Sequence, residues 1–395
     1  MRWLLMVLLY KFSFLYLLVF SVVAFDNGQR FQVSEWLFFI NANVAYGLLF
    51  YMVAISTLFF LLELKRKVCN VFFFTFYLLG VFYVIYSTLY GANFSYISYK
   101  QIGFLFIATS FLFLLDVGKW KTWLLSGYCV LLFFSLAMSL IHYYDLDLPI
   151  ARYSDLSLDS TVIRASSGLL LQTNASGAFF CLSALVFLSL YNYSKNNIYF
   201  ICCLISVLAL LVGKSLGPIF ILVSLSVFYA NKTIILSWVA LLVCMLVYKF
   251  DYFVYYLNYK IDSGSSKFDV FVGTVNRFIN HGGDFLFGQF YSGAVDDLLY
   301  TESSMLDLFN NYGVIGGFWV FVVGISGVYL SAQSEVKSKF ALFTPVFALV
   351  LLSLTQNSTL MLVHIFIITF YLSALHSMLQ GETEDVIPLR FKNNA

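Results

Sequence analysis

Residues 71–90 read VFFFTFYLLGVFYVIYSTLY, twenty consecutive positions without one Asp, Glu, Lys, Arg or His. A helix rises 1.5 Å per residue, so about twenty such residues cross the roughly 30 Å hydrocarbon core of a bilayer. Lipid offers no partner for peptide N–H and C=O groups, and a helix is the structure that satisfies them within one segment. Directly upstream, Lys65-Arg66-Lys67 breaks the apolar pattern with three cations, as the end of a span does.

The same pattern recurs along the chain. Of its 395 residues 61% are hydrophobic and 11% charged, too little polar surface for a soluble globule of this size. Spans are expected near 4–25, 36–62, 69–90, 101–117, 122–141, 168–190, 198–213, 217–230, 233–249, 303–330, 340–356 and 359–379. The expected fold class is thus an all-α polytopic membrane protein with about 12 transmembrane helices, forming a single integral membrane domain over 1–395. The first apolar run is longer than a signal-peptide core and more spans follow it, so it reads as the first span. The 45 Phe and 28 Tyr read as lipid-facing rings and interfacial belts.

All six cysteines (Cys69, Cys129, Cys181, Cys202, Cys203 and Cys244) fall in expected spans. They read as small buried hydrophobes rather than a disulfide framework or a metal cluster. The chain has no nucleotide-binding glycine loop, zinc spacing or nucleophile elbow. Its acidic loops offer no carboxylate pair placed for a divalent ion, so the expectation is no metal, no cofactor and no nucleic-acid partner.

Charge sets the orientation. Counting from the N-terminus, one side holds Arg2, Lys65, Arg66, Lys67, Lys119, Lys121, Lys195, Lys232, Lys337, Lys339, Arg390 and Lys392. The short loops of the other side hold Arg30, Lys100 and Lys214. By the positive-inside rule both termini are expected in the cytoplasm. Two long segments, 142–167 and 250–302, then lie on the outer side; unstructured loops of that length are usually functional.

The candidate chemistry gathers on that outer side. Arg164 precedes the sixth span, Lys214 sits in the turn Gly213-Lys214-Ser215-Leu216-Gly217-Pro218, and Arg277 lies in the second long loop. Cations at the apolar boundary call for anionic partners, and three at one face suit a diphosphate. Anchoring of helix ends at lipid phosphates is the plainer account of Arg164 and Lys214. From Arg164 the chain continues through Gly168, Gln172 and Asn174 to Gly177, placing amides and small residues at a helix entrance where free N–H groups favour an anion. Small residues there equally suit tight helix packing.

Beyond Arg277 come His281, Asp284 and Gly288, and then Glu302-Ser303-Ser304-Met305-Leu306-Asp307 opens the tenth span. Glu302 is either a helix cap or a general base at the membrane surface, with Asp307 and His281 as its competitors. His364, two turns into the last span, reads as a hydrogen-bonded core residue.

In four short stretches the chain resembles the O-antigen polymerase and O-antigen ligase superfamily of bacterial envelope polysaccharide assembly. Arg164 through Asn174 to Gly177 looks like that family's run at the entrance of a span. Gly213-Lys214-Ser215 to Gly217 takes the place of its short turn with a basic residue, here Lys where Arg is common, which removes the bidentate geometry. Arg277 and Gly288, ten residues apart, fit its Arg-x10-Gly pattern, which Arg164 does not meet. Glu302-Ser303-Ser304 through Asn311-Tyr312-Gly313-Val314-Ile315-Gly316 resembles the polymerase signature, and it lacks the His with which ligases begin this stretch.

The resemblance implies a GT-C-like helical fold with two large periplasmic loops in the bacterial inner membrane. It implies a metal-independent glycosyltransferase that joins undecaprenyl-diphosphate-linked oligosaccharide repeats into long polysaccharide on the periplasmic face. Arg164 and Arg277 would stabilise the leaving diphosphate with Lys214 assisting, and Glu302 would activate the acceptor. Asn174, Gly288, His281 and Asp307 would line the substrate. Membrane lipid and a chain-length regulator protein are the further partners expected of such an enzyme. Two other functions remain open: a flippase for the same lipid-linked repeats, with the short spans about Lys214 as a broken-helix site, or a ligase that transfers glycan to lipid A core.

Overall fold

A computed structural model describes residues 2–23, 42–66, 70–90, 99–114, 117–144, 173–213, 215–229, 269, 272–273, 275–276, 279–280, 282–288, 303–334, 339–355 and 362–380. Among the described residues all regular structure is helical, with no strand. In chain order the helices are α1 (Arg2–Val23), α2 (Ala42–Arg66), α3 (Val71–Tyr90), α4 (Tyr99–Ser110), α5 (Val117–Tyr143), α6 (Thr173–Ser194), α7 (Asn197–Val212), α8 (Leu216–Ser226), α9 (Gly282–Phe287), α10 (Ser304–Gly316), α11 (Phe318–Gln333), α12 (Lys339–Thr355) and α13 (Leu362–Leu379). Single 3-10 turns, Phe111–Phe113 and Val227–Tyr229, extend α4 and α8.

Four stretches are long and apolar enough to cross a membrane: Val44–Lys65, Val71–Leu89, Leu124–Ile141 and Ala175–Ser194. Shorter apolar helices surround them, and together they make an all-α, membrane-embedded bundle. Large apolar side chains on its outside, among them Leu61, Leu78, Ile85, Phe133 and Ile325, are exposed, as lipid-facing residues must be. The expected spans fall close to these helices, except that 233–249 lies outside the described residues and 303–330 is interrupted. The long segment 142–167 is almost wholly outside them, and so is most of 250–302.

Every residue from Ala175 to Leu190 in α6 and from Val363 to Leu375 in α13 is buried. A helix apolar on all sides belongs inside a bundle, where neighbouring helices replace lipid. Small residues let the surrounding helices approach. A Cβ on Gly80 of α3 would stand 2.6 Å from the Gly103 carbonyl of α4, and one on Gly103 would stand 2.8 Å from that of Gly80, so the two backbones nearly touch.

Pro345 interrupts the ladder of α12, because it has no N–H to give to the carbonyl of Ala341. Two hydroxyls fill the gap: Ser189 Oγ of α6 donates to Ala341 O at 2.9 Å, and Thr344 Oγ1 donates to it at 2.8 Å. The Tyr229 hydroxyl, 2.6 Å from Ser189 Oγ, also contacts Thr344 Oγ1. Without water, a carbonyl left bare here would cost several kcal/mol.

These contacts also fix helix direction. Ser189 near the end of α6 meets Ala341 near the start of α12, so the two run antiparallel. Tyr193 at the end of α6 reaches Met378 at the end of α13, and His364 at the start of α13 reaches Ala175 at the start of α6. Tyr229, just past α8, meets Ser189; Ser303, at the start of α10, meets Ser353 near the end of α12. One end of the bundle therefore collects the starts of α6, α8, α10 and α13 with the ends of α3 and α12.

Candidate functional site

That end of the bundle holds the described parts of the four stretches singled out in the sequence, and they meet in two pairs. The first pair closes on Gly177. A Cβ there would lie 2.5 Å from Ser215 Oγ, 2.6 Å from Ser215 Cβ and 3.0 Å from Pro218 Cγ. The first turns of α6 thus rest directly on the turn that follows α7, a contact that leaves room only for a hydrogen. His364 is fully buried beside it, with Nε2 3.2 Å from Ala175 O. Since a carbonyl only accepts, Nε2 carries the proton and donates. The reading of His364 as a hydrogen-bonded core residue holds.

The second pair joins the loop to α10. α9 ends at Gly288, buried and at φ 77°, the left-handed conformation in which glycine closes helices. Gly313 in α10 has φ 64° and ψ −166°, a region open essentially to glycine alone. A Cβ at Gly313 would lie 2.6 Å from Phe287 N and closer still to the Leu286 carbonyl. α9 is seated on the kink that this glycine makes.

Two tyrosines of α3 clamp the kink. The Tyr86 hydroxyl donates to Tyr312 O at 2.7 Å with Phe287 O at 3.2 Å, and the Tyr83 hydroxyl donates to Gly316 O. Carbonyls beside a kink lose regular ladder geometry, and these hydroxyls supply donors that lipid cannot. The expected span 303–330 is therefore not one helix. It kinks at Gly313 and is cut at Gly317 into α10 and α11.

α10 begins at Ser304, and its cap is Ser303, whose Oγ accepts from Leu306 N at 3.3 Å and donates to Ser353 O at 3.1 Å. The Ser303 hydroxyl is the kind of short acceptor that helix starts favour.

Arg164, Lys214, Arg277, His281 and Glu302 lie outside the described residues. Asn174 and Asp307 have helical backbones in the first turns of α6 and α10. Gly288 is seen directly, in the turn described above.

Three features escaped the sequence reading. Nothing distinguishes Tyr83 and Tyr86 among 28 tyrosines as the clamp on α10. Gly313 is one of several glycines in that stretch. Asn310, by contrast, carried a signal: an amide inside an apolar run is costly and marks function. It is 1% exposed, and neither its Oδ1 nor its Nδ2 has a hydrogen-bond partner. Leaving such groups unpaired costs about 1–3 kcal/mol, an expense that α10 bears beside the kink.

Compared with known proteins, the chain matches no family model and no curated protein.

Proposed function

We propose that the protein is a polysaccharide polymerase of the inner membrane, twelve-spanning and GT-C-like, with both termini in the cytoplasm and loops 142–167 and 250–302 in the periplasm. It transfers a growing glycan from undecaprenyl diphosphate to a hydroxyl of the incoming lipid-linked repeat. The observation that supports this reading most is the convergence of the four resembling stretches at one end of the bundle, paired at Gly177 with Ser215 and at Gly313 with Leu286 and Phe287.

The transfer breaks the bond between the anomeric carbon and the diphosphate and forms one to the acceptor oxygen, which gives up its proton. Arg164 and Arg277, with Lys214 as a point charge, neutralise the departing diphosphate. The first turns of α6, α8, α10 and α13 lie at the same end and add backbone N–H donors there. Glu302 takes the acceptor proton, and Asn174, Gly288, His281 and Asp307 line the substrate. Asn310, buried without a partner, adds an amide for orienting a sugar hydroxyl.

A second reading draws on the shortness of α7 and α8, of 16 and 11 residues, which suits the broken helices of a transporter. A deletion strain separates the two. Single repeats on lipid A core indicate a lost polymerase; lipid-linked repeats retained on the cytoplasmic side indicate a lost flippase; and loss of all capping indicates a ligase. Arg164→Ala, Arg277→Ala and Glu302→Ala, each with membrane expression verified, should shorten or abolish long chains. Normal long-chain polysaccharide in all three would overturn the assignment.

A further inference from the structure

The second loop carries, beside the candidate site, a feature that neither the polymerase reading nor the bundle accounts for. Asp269, Val272, Gly273, Val275, Asn276, Ile279 and Asn280 are all helical and all exposed. At 100° per residue, Val272, Val275 and Ile279 fall within about 60° of one another, and Asp269, Gly273, Asn276 and Asn280 fall within another arc of about 60°, roughly 100° away. The described residues thus divide into an apolar and a polar arc, and the apolar arc is exposed along with the polar one: Val272 is 39% exposed, Val275 38% and Ile279 74%. Three branched aliphatics at i, i+3 and i+7 bared to water would be an unusual surface for a loop.

The place of the segment says what covers it. It leads within two residues into α9, which the Tyr86 hydroxyl and Gly313 fasten to the end of α3 and to the kink of α10. Tyr86 lies four residues, about 6 Å of helix, short of the end of α3. α9 is therefore held near the boundary between hydrocarbon and headgroups. Both elements expose large apolar side chains: Ile85 and Leu89 of α3 are 55% and 70% exposed, and Phe285 and Leu286 of α9 are 47% and 45% exposed. A helix with one apolar and one polar side, tethered at that depth, lies flat in the interface with its aliphatics among the acyl chains.

We propose that the helical residues described between 269 and 280 are seated at the interface of the outer leaflet, with Val272, Val275 and Ile279 inserted into lipid and Asp269, Asn276 and Asn280 facing water.

Single cysteines at 269, 272, 275, 276, 279 and 280, spin-labelled in the full chain and reconstituted in vesicles of phosphatidylethanolamine and phosphatidylglycerol, test this directly. The unsubstituted chain serves as the labelling blank. Collisions with oxygen, which concentrates in lipid, should exceed those with a water-soluble nickel chelate several-fold at Val272→Cys, Val275→Cys and Ile279→Cys. The ratio should reverse at Asp269→Cys, Asn276→Cys and Asn280→Cys. Chelate collisions dominating at all six positions would overturn the proposal, since the helix would then stand in water. Exclusion of both reagents at the three aliphatic positions would overturn it too, because protein rather than lipid would be the cover. Accessibility is read without turnover, so either failure leaves the polymerase reading untouched.

Discussion

Replacing Gly313 by alanine tests the seat of α9 on α10. Alanine at φ 64° and ψ −166° sits in a region nearly closed to L side chains, at a cost of about 1–3 kcal/mol. The added methyl would also lie 2.6 Å from Phe287 N and nearer to the Leu286 carbonyl. Those are backbone atoms, unable to swing aside as the tip of a side chain would, so α9 has to move. Movement breaks the contact of Tyr86 with Phe287 O, 3.2 Å long, worth a net of about 0.5–1.5 kcal/mol, while the bond to Tyr312 O stays. The combined loss is about 2–4 kcal/mol. Hydrogen exchange in detergent micelles reads it locally: amides of residues 282–288 should exchange roughly 30- to 700-fold faster, at tenfold per 1.4 kcal/mol. Tyr86→Phe should cost less in the Gly313→Ala background than alone, since one of its two acceptors has already left. Unchanged exchange across 282–288 in Gly313→Ala would refute the seat.

Gly177→Ala should destabilise the bundle by about 1–3 kcal/mol in thermal denaturation, because its methyl overlaps Ser215, and Ser215→Gly should restore part of the loss. Ser189→Ala should cost about 1–3 kcal/mol by stripping Ala341 O of a buried donor. The same change should cost less when Pro345→Ala returns a backbone N–H to that carbonyl, and equal costs in both backgrounds would show that Ser189 acts elsewhere. Asn310→Leu should raise thermal stability, since it removes two unpaired polar groups, yet shorten the polysaccharide; lowered stability with normal chains would make Asn310 a packing residue.

Composition made the helices legible because lipid admits so few alternatives. The run at 69–90 needed only its length and its lack of charge, and α3 occupies Val71–Tyr90. The interruption of 303–330 was not legible, for a reason visible in two glycines. Gly80 and Gly313 both stand in apolar runs, but Gly80 remains helical and lets α4 approach, whereas Gly313 takes a positive φ because α9 approaches. The difference lies in what arrives from elsewhere in the chain, and that information is tertiary. The hydroxyl clamps of Tyr83 and Tyr86 are hidden for the same reason: tyrosine at the end of a span ordinarily signals an interface, and only the partner carbonyl reveals the clamp. Among the candidate site residues, those that are glycines or stand at helix starts were legible as geometry, because a turn or a cap leaves a local signature.

The direction of the helices ties these pieces to chemistry. A helix start presents unpaired N–H groups and a partial positive charge, and a helix end presents the reverse. α6, α8, α10 and α13 begin at the end of the bundle where α3 and α12 finish, a consequence of contacts such as Ser189 with Ala341 and Ser303 with Ser353. At that end two stretches are fastened by contacts that leave no room for a methyl group, at Gly177 and Gly313. Backbone held this rigidly does not reorganise during a reaction, which under the proposed function suits the departure of a diphosphate. A transporter instead needs its site to open alternately to both sides, and the Gly313 seat, with backbone against backbone, would have to break in each cycle.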